Sequence, residues 1–193
     1  LAKKIEVQAN DIGAYSLDAP VSGGDIGARN ASLAIMCGGN EKAYDETLGL
    51  FKIMGENIKY FGNAGSGQRV KMSNQILIAS TMIGTVEALL YAERANLDLA
   101  KVIELIGQGA AGCWSLNNLG PRMIKGDWEP GFYVKHFIKD IGIALNDAEK
   151  MGLQLKGLEL AKFFYSEVIN AGYPEKGTQV LLKVLRSLNK ISL

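Results

Sequence analysis

The sequence predicts a mainly α protein: an all-helical C-terminal domain around a long central helix, preceded by an incomplete α/β domain. Three observations carry this reading. Strand-like runs closed by glycine occur only before Gly65. Between Lys71 and Glu87 lies an uncharged stretch, Met72 to Val86, that is apolar nearly all the way round a helix, the pattern of a buried helix. Beyond it the chain shows helical periodicity only. The two domains are expected at residues 1–64 and 65–193.

Taken in order, Leu1 to Asp11 predicts a helix with Leu1, Ile5 and Ala9 on one face and Gly13 as its stop. Ala14 to Ala19 is a short extended run, since Pro20 biases Ala19 toward β. Val21 to Asn30 (V-S-G-G-D-I-G-A-R-N) is too rich in glycine for a regular element. Ser32 to Cys37 is a second strand, closed by Gly38 and Gly39. Asn40 is an N-cap for an amphipathic helix from Glu41 to Met54, with Tyr44, Leu48 and Phe51 on one side. Asn57 to Phe61 is a third strand, ended by Gly62. Helical patterns follow over Ser66–Asn96, Asp98–Gln108, Ser115–Ile124, Val134–Met151, Gly157–Ala171 and Gly177–Leu188. Asp98 is an N-cap, and Gly152 and Gly172 are stops. Ser80, Gly84 and Ala88, at four-residue spacing, would let another helix approach closely.

Composition narrows the classes. With 48% hydrophobic and 21% charged residues, the chain is an ordinary globular one. A net charge of +1 gives no long-range pull on nucleic acid or an anionic membrane. Met72 to Leu90 is long enough to span a bilayer, but Asn74, Gln75, Ser80, Thr81, Thr85 and Glu87 argue against it. Cys37 and Cys113 form no CxxC pair and read as free buried thiols in a reducing cytosol, so a cytoplasmic location is expected. His136 is the only histidine, so any His-based metal site or Ser-His-Asp triad would rest on that one residue. No metal is expected.

Five segments are candidates for chemistry. In G-S-G-Q-R-V-K-M-S-N-Q (Gly65 to Gln75), Asn74 and Gln75 fall about 60° and about 40° from Lys71 around the helix. One ammonium and two amides therefore cluster at one end of the central helix. A buried lysine is rare unless paired or working, although a helix-end lysine that snorkels to water fits the same pattern. Val21 to Asp25 (V-S-G-G-D) lies at a strand end; its amides form a concave donor set for an anion, or its glycines simply supply positive φ. Gly62 to Gly67 (G-N-A-G-S-G) resembles a phosphate loop but matches no phosphate-binding pattern, so a flexible hinge is expected. Gly109 to Asn118 (G-A-A-G-C-W-S-L-N-N) places Trp114 either on a pocket wall or in the core. Phe132 to Asp140 (F-Y-V-K-H-F-I-K-D) sets Lys139 and Asp140 on a helix face, either solvated or facing a phosphate, with His136 a partly buried imidazole.

Together these segments resemble the β-hydroxyacid dehydrogenase family, which includes 3-hydroxyisobutyrate dehydrogenase and tartronate semialdehyde reductase and is related to 6-phosphogluconate dehydrogenase. D-A-P-V-S-G-G (Asp18 to Gly24) is similar to its substrate loop. G-x-G-Q-x-x-K-x-x-N-Q (Gly65 to Gln75) is similar to its catalytic-lysine helix. G-A-A-G-x-W-S (Gly109 to Ser115) and H-F-x-K-D (His136 to Asp140) follow in family order. Family members join a Rossmann domain to a helical domain by a long helix. They begin with a strand and the G-x-G-x-x-G fingerprint that holds a pyrophosphate. This chain is expected to have neither, so residues 1–64 would be the last α/β part of a truncated Rossmann domain. The polypeptide would be a C-terminal fragment, inactive alone.

The resemblance implies an NAD(P)-dependent enzyme interconverting a short β-hydroxyacid and its semialdehyde or oxo acid, with NAD or NADP as cofactor. It implies Lys71 as general acid/base, with a pKa brought down by burial from the free value of about 10.4. Asn74 and Gln75 would orient the substrate, and Ser22, Gly23 and Gly24 would bind its carboxylate. Lys139 would approach the cofactor, held by Asp140. Lys156 stands where many relatives carry proline, with no function attached. The family also implies a homodimer or homotetramer through the helical domain. A non-catalytic relative that uses that domain for oligomerisation is the competing reading.

Overall fold

In the computed structural model, which describes residues 1–190, the chain opens with helix α1 (Ala2–Asp11), and Gly13 follows at φ 71°. Left-handed backbone costs glycine little, so the helix stops where the sequence places its end. Its apolar face is not buried as expected: Leu1 and Ile5 are 94% and 45% exposed.

The extended run that follows is interrupted at Ala19–Pro20. Strands β1 (Leu17–Asp18) and β2 (Val21–Ser22) lie on either side of it. Both pair antiparallel with β3 (Leu33–Gly39) in one continuous register, Leu17 opposite Gly39 and Ser22 opposite Ala34. Proline has no N–H for the ladder, but its carbonyl accepts from Met36 N at 3.0 Å. The edge therefore resumes after the break and delivers the chain into Gly23. From there Gly24–Arg29 forms helix α2, where no regular element was expected. Gly23 and Gly24, at φ 129° and 63°, make the entry turn. Gly27 lets the helix lie on Leu33, where a Cβ would come 3.2 Å from Cδ2. The glycines thus build the turn and the close packing, and composition alone misread them as helix breakers.

Helix α3 (Glu41–Met54) has the predicted bounds, and the Asn40 side chain accepts from Ala43 N. It connects β3 to β4 (Gly55–Tyr60), which runs parallel to β3 with Ile35 opposite Ile58. Parallel strands joined through a helix form a βαβ unit. Tyr44, Phe51 and Ile58 pack against Leu33, Ile35 and Cys37, the core of the first compact unit, Leu1–Asn74. Each such aliphatic side chain withdrawn from water is worth about 1.5–3 kcal/mol.

Helix α4 (Ser66–Arg94) begins in that unit and continues into the second, Gln75–Leu193. The second unit adds α5 (Leu99–Ile106), capped by Asp98, which accepts from Ala100 N and Lys101 N. A π-helical turn, Ser115–Leu119, runs into α6 (Gly120–Ile124). The sequence predicts one helix there, but Pro121 has no N–H to offer the preceding turn, and the hydrogen-bond ladder widens before it. Helices α7 (Val134–Lys150) and α8 (Lys156–Asn170) follow. A 3₁₀ turn, Thr178–Val180, then enters α9 (Leu181–Leu188). Among the described residues of this unit there is no strand, only an isolated bridge between Tyr133 and Gly177. Its core holds Met82, Val86, Phe137, Ile141 and Tyr165, each fully buried. Phe137 meets Tyr165 edge-on at 4.9 Å, and the Tyr165 hydroxyl donates to the Thr178 carbonyl at 3.0 Å. The class is the predicted one, a helical domain preceded by a small α/β part.

One expectation about α4 changes. The helix is buried on one side rather than all round: Leu77 and Tyr91 are 65% and 77% exposed, with Ser80, Gly84 and Glu87 on the same line. Among the described residues, nothing outside α4 lies within 4 Å of where a Gly84 Cβ would sit, so the small-residue stripe is open at Gly84, while the first turn of α8 comes near Ser80, whose Oγ would lie 3.9 Å from a Gly157 Cβ. By length and composition α4 is the one described helix able to cross a membrane, yet half of its most apolar stretch is buried inside the protein.

Candidate active site

The local geometry begins at Asp18, one residue before the break in the edge strand. Its carboxylate is almost wholly buried, and both oxygens accept backbone amides from the start of α4: Gly65 N to Oδ1 at 2.7 Å and Gln68 N to Oδ2 at 2.8 Å. Those amides belong to the group a helix N-terminus leaves without intrahelical partners. The approach is possible only because side chains are missing around it. Asp18 faces Gly38 across the ladder, and a Gly38 Cβ would fall 2.9 Å from Oδ1 and 2.8 Å from Gly67 N. A Gly67 Cβ would fall 2.2 Å from the Met36 carbonyl oxygen. The G-N-A-G-S-G segment is therefore not the flexible hinge the sequence predicts. It is pinned at Gly65 N and, directly after it, at Gln68 N, and Gly67 serves backbone-to-backbone packing.

Lys71 follows Gln68 by one turn and is partly buried, as is Asn74. The loop at Ser22, Gly23 and Gly24 belongs to the same unit. Ser22 is partly buried, while Gly23 and Gly24 are exposed. In α2 the first intrahelical bond there runs from Gly27 N to Gly23 O. The amides of Gly24, Asp25 and Ile26 precede that bond, the position from which helix-start amides take a carboxylate.

In the second unit Gln75 is 2% exposed and donates from Nε2 to Asp140 Oδ2 at 2.8 Å. The other Asp140 oxygen pairs with Lys139 Nζ at 2.8 Å, and the Lys139 side chain is 61% exposed. A buried carboxylate thus holds a solvent-facing ammonium on one side and a buried amide on the other. The ion pair between Lys139 and Asp140 is present as expected. Gln75 is drawn into it as a support, a role its place in the motif did not reveal.

The remaining candidates are mostly structural. Trp114 is 68% exposed and so is not a core residue. Cys113 is only partly buried; its sulfur accepts from Leu116 N at 3.4 Å, which places it as a local cap of the π-helical turn. Cys37 is fully buried, and burial, with the Asp18 charge adding to it, pushes its thiol pKa up. His136 is exposed between the rings of Phe132 and Tyr133 rather than partly buried. Among the described residues no three His, Cys, Asp or Glu side chains gather as metal ligands. The spacing G-x-G-x-x-G does occur, at Gly107 to Gly112, contrary to expectation. It follows helix α5 and not a strand, and a Gly112 Cβ would fall 2.4 Å from the Gly107 carbonyl oxygen. That is a packed turn with no space for a pyrophosphate.

A nicotinamide dinucleotide fits part of what is present. The βαβ unit is the topology that receives nucleotides at the carboxyl ends of its strands, and here those ends are Gly39 and Tyr60, joined by a hydrogen bond from the Tyr60 hydroxyl to the Gly39 carbonyl at 2.8 Å. Lys139, fixed by Asp140, is a cation suited to a phosphate or ribose oxygen. A pyrophosphate cradle of the strand–glycine–helix kind is not among these residues.

A family profile described as the NAD-binding region of NADP-dependent 3-hydroxyisobutyrate dehydrogenase matches residues 65–185. One described as the NAD-binding domain of 6-phosphogluconate dehydrogenase matches residues 1–62. An uncharacterized oxidoreductase of Bacillus subtilis is 54% identical over 95% of this chain and 64% of its own length. A probable mitochondrial 3-hydroxyisobutyrate dehydrogenase-like protein of Arabidopsis thaliana is 47% identical over 100% of this chain and 57% of its own length. A solved 3-hydroxyisobutyrate dehydrogenase of Mycobacterium tuberculosis, studied with L-serine, superposes with a TM-score of 0.87 at 28% identity, over 96% of this chain and 66% of that one. The chain thus spans roughly three-fifths of the length of the two sequence relatives.

Proposed function

The chain belongs to the β-hydroxyacid dehydrogenase family, and from that membership we propose that the full-length polypeptide carrying it interconverts a short β-hydroxyacid and its oxo or semialdehyde form. The cofactor is NAD or NADP, which supplies the hydride acceptor in oxidation and the hydride donor in reduction. The observation that carries the reading is the pinned start of α4, which sets Lys71 and Asn74 on a helix tied to the strand edge that leads into Ser22.

Each residue then has a task. In oxidation, the neutral amine of Lys71 takes the hydroxyl proton at Nζ; in reduction, its ammonium returns that proton. The Asn74 amide donates to the substrate oxygen and orients it. The Ser22 hydroxyl and the amides at Gly23 and Gly24 hold the carboxylate, so that binding energy spent away from the reacting carbon fixes its position. Lys139 holds the cofactor through a phosphate or ribose oxygen. Asp140 keeps Lys139 in place, and Gln75 keeps Asp140 in place.

The substrate class is that of the relatives, a small carboxylate with a hydroxyl on the β carbon. A panel of 3-hydroxyisobutyrate, L-serine and glycerate, assayed with both cofactors on the full-length polypeptide, tests it. Turnover of at least one of these, with none of lactate, is expected. Failure to bind either cofactor, or turnover of α-hydroxyacids alone, would contradict the assignment. The exposed line Leu77–Ser80–Gly84–Tyr91 supports a homodimer or homotetramer formed through the helical domain, and a clean monomer in size-exclusion chromatography at micromolar concentration would remove that part.

A further inference from the structure

We propose that Asp18 is the positioning residue of this site: it ties the Lys71 helix to the strand edge that carries the Ser22–Gly24 loop, and so sets the proton-transfer group relative to the carboxylate it serves. The inference rests on the acid–base role proposed for Lys71.

Four observations carry it. An ordinary N-cap comes from the residue that starts the helix, whereas Asp18 caps α4 from 47 and 50 residues away. Both carboxylate oxygens are used, one on each side of the helix start, so the first turn is held against rotation as well as translation. The space around the contact is kept free of side chains at Gly38 and Gly67, so the helix start rests on the backbone of β3 with nothing compressible between. Finally, Asp18 stands four residues before Ser22 on one register, and Gln68 stands three residues before Lys71 on one helix. Each partner thus lies within four residues of a proposed site residue. Charge-assisted hydrogen bonds of this length are the stronger kind. A catalytic group displaced by about 1 Å can cost on the order of 100-fold in rate.

The test uses the full-length polypeptide and the variants Asp18→Asn, Gln68→Pro and Lys71→Ala. Asp18→Asn keeps the shape but points an NH₂ group at one of the two amides. Gln68→Pro deletes one N–H donor at the third helical position, where no intrahelical hydrogen bond is lost, and leaves Asp18 in place. For Asp18→Asn, kcat should fall roughly 10–100-fold, with the cofactor KM nearly unchanged. The primary deuterium isotope effect on kcat, read with substrate deuterated at the carbinol carbon, should rise. Gln68→Pro should move kcat and the isotope effect in the same direction by a smaller factor. A merely structural role would lower the melting temperature while leaving the isotope effect as in wild type. If Lys71→Ala is inactive and both other variants keep wild-type kcat and isotope effect, Asp18 does not position the site, while the proposed function stands. If Lys71→Ala keeps its turnover, the proposed function fails, and this inference fails with it. Should Asp18→Asn not fold, Gln68→Pro decides alone: wild-type kinetics there overturn the proposal.

Discussion

Gln75 Nε2 lies 2.8 Å from Asp140 Oδ2 in the interior of the helical unit, and the two residues are 2% and 7% exposed. The contact crosses 65 residues of sequence and leaves the other Asp140 oxygen for Lys139. A buried amide whose acceptor is removed keeps its desolvation cost. Asp140→Ala should therefore destabilise the protein by about 1–3 kcal/mol in urea unfolding. Asp140→Asn can still accept from Gln75 and should cost less, about 1 kcal/mol, because the Lys139 partner is largely solvent-exposed and screened. Both variants should raise the cofactor KM of the full-length polypeptide. Equal stability of Asp140→Ala and wild type would show that the contact is not held in solution.

Two glycines of the first unit should respond in opposite directions to alanine. At Gly67 the new Cβ would meet the Met36 carbonyl and both Asp18 backbone and side-chain oxygens, the nearest at 2.2 Å. Backbone cannot give way as a side chain does, so Gly67→Ala should cost about 1–3 kcal/mol or more. Gly49 lies exposed within α3 with nothing within 4 Å. Gly49→Ala should stabilise by about 0.5–1 kcal/mol, the helix-propensity difference. Thermal melts of the two variants, side by side, check the close packing under the Lys71 helix.

Asp127 gives a pH-dependent test. The Arg122 guanidinium donates to both its oxygens, at 2.8 and 3.1 Å, and Glu129 N adds a third bond at 3.0 Å. The Arg122 hydrogen bonds, then the Glu129 amide, hold its carboxyl below the usual range. A carboxyl depressed in the folded state contributes stability above its unfolded pKa, about 3.9. That contribution is lost as pH falls through the folded value. Asp127→Asn should accordingly melt below wild type at neutral pH, and the gap should close in acid. A gap that stays constant down to about pH 2 would contradict the pairing.

How much of this was legible before the structure depends on distance along the chain. Asn40 and the Glu41–Met54 helix could be read because cap and apolar face are local patterns, and the Gly13, Gly152 and Gly172 stops are local for the same reason. The motif around Lys71 and the Lys139–Asp140 pair were legible as short strings. Contacts between distant segments were not. Nothing in the string D-A-P-V-S-G-G says that its first residue caps a helix 47 residues on, and Gly38 and Gly67 matter only for side chains they lack. Gln75 stood beside Asn74 in a substrate-like motif, yet its amide is engaged by Asp140. The edge strand and α2 were misjudged because Pro20 and three glycines within ten residues look like a breakdown of structure, when they make one interruption, one turn and one close helix contact.

The central claim is that Lys71 moves the proton. Single-turnover hydride transfer, followed by nicotinamide absorbance in the full-length polypeptide, tests it most directly in Lys71→Ala. The account predicts a rate lowered by about 10²–10⁴-fold, the span of a general acid/base, with cofactor affinity unchanged. A Lys71→Ala variant that transfers hydride within a few-fold of the wild-type rate would contradict it.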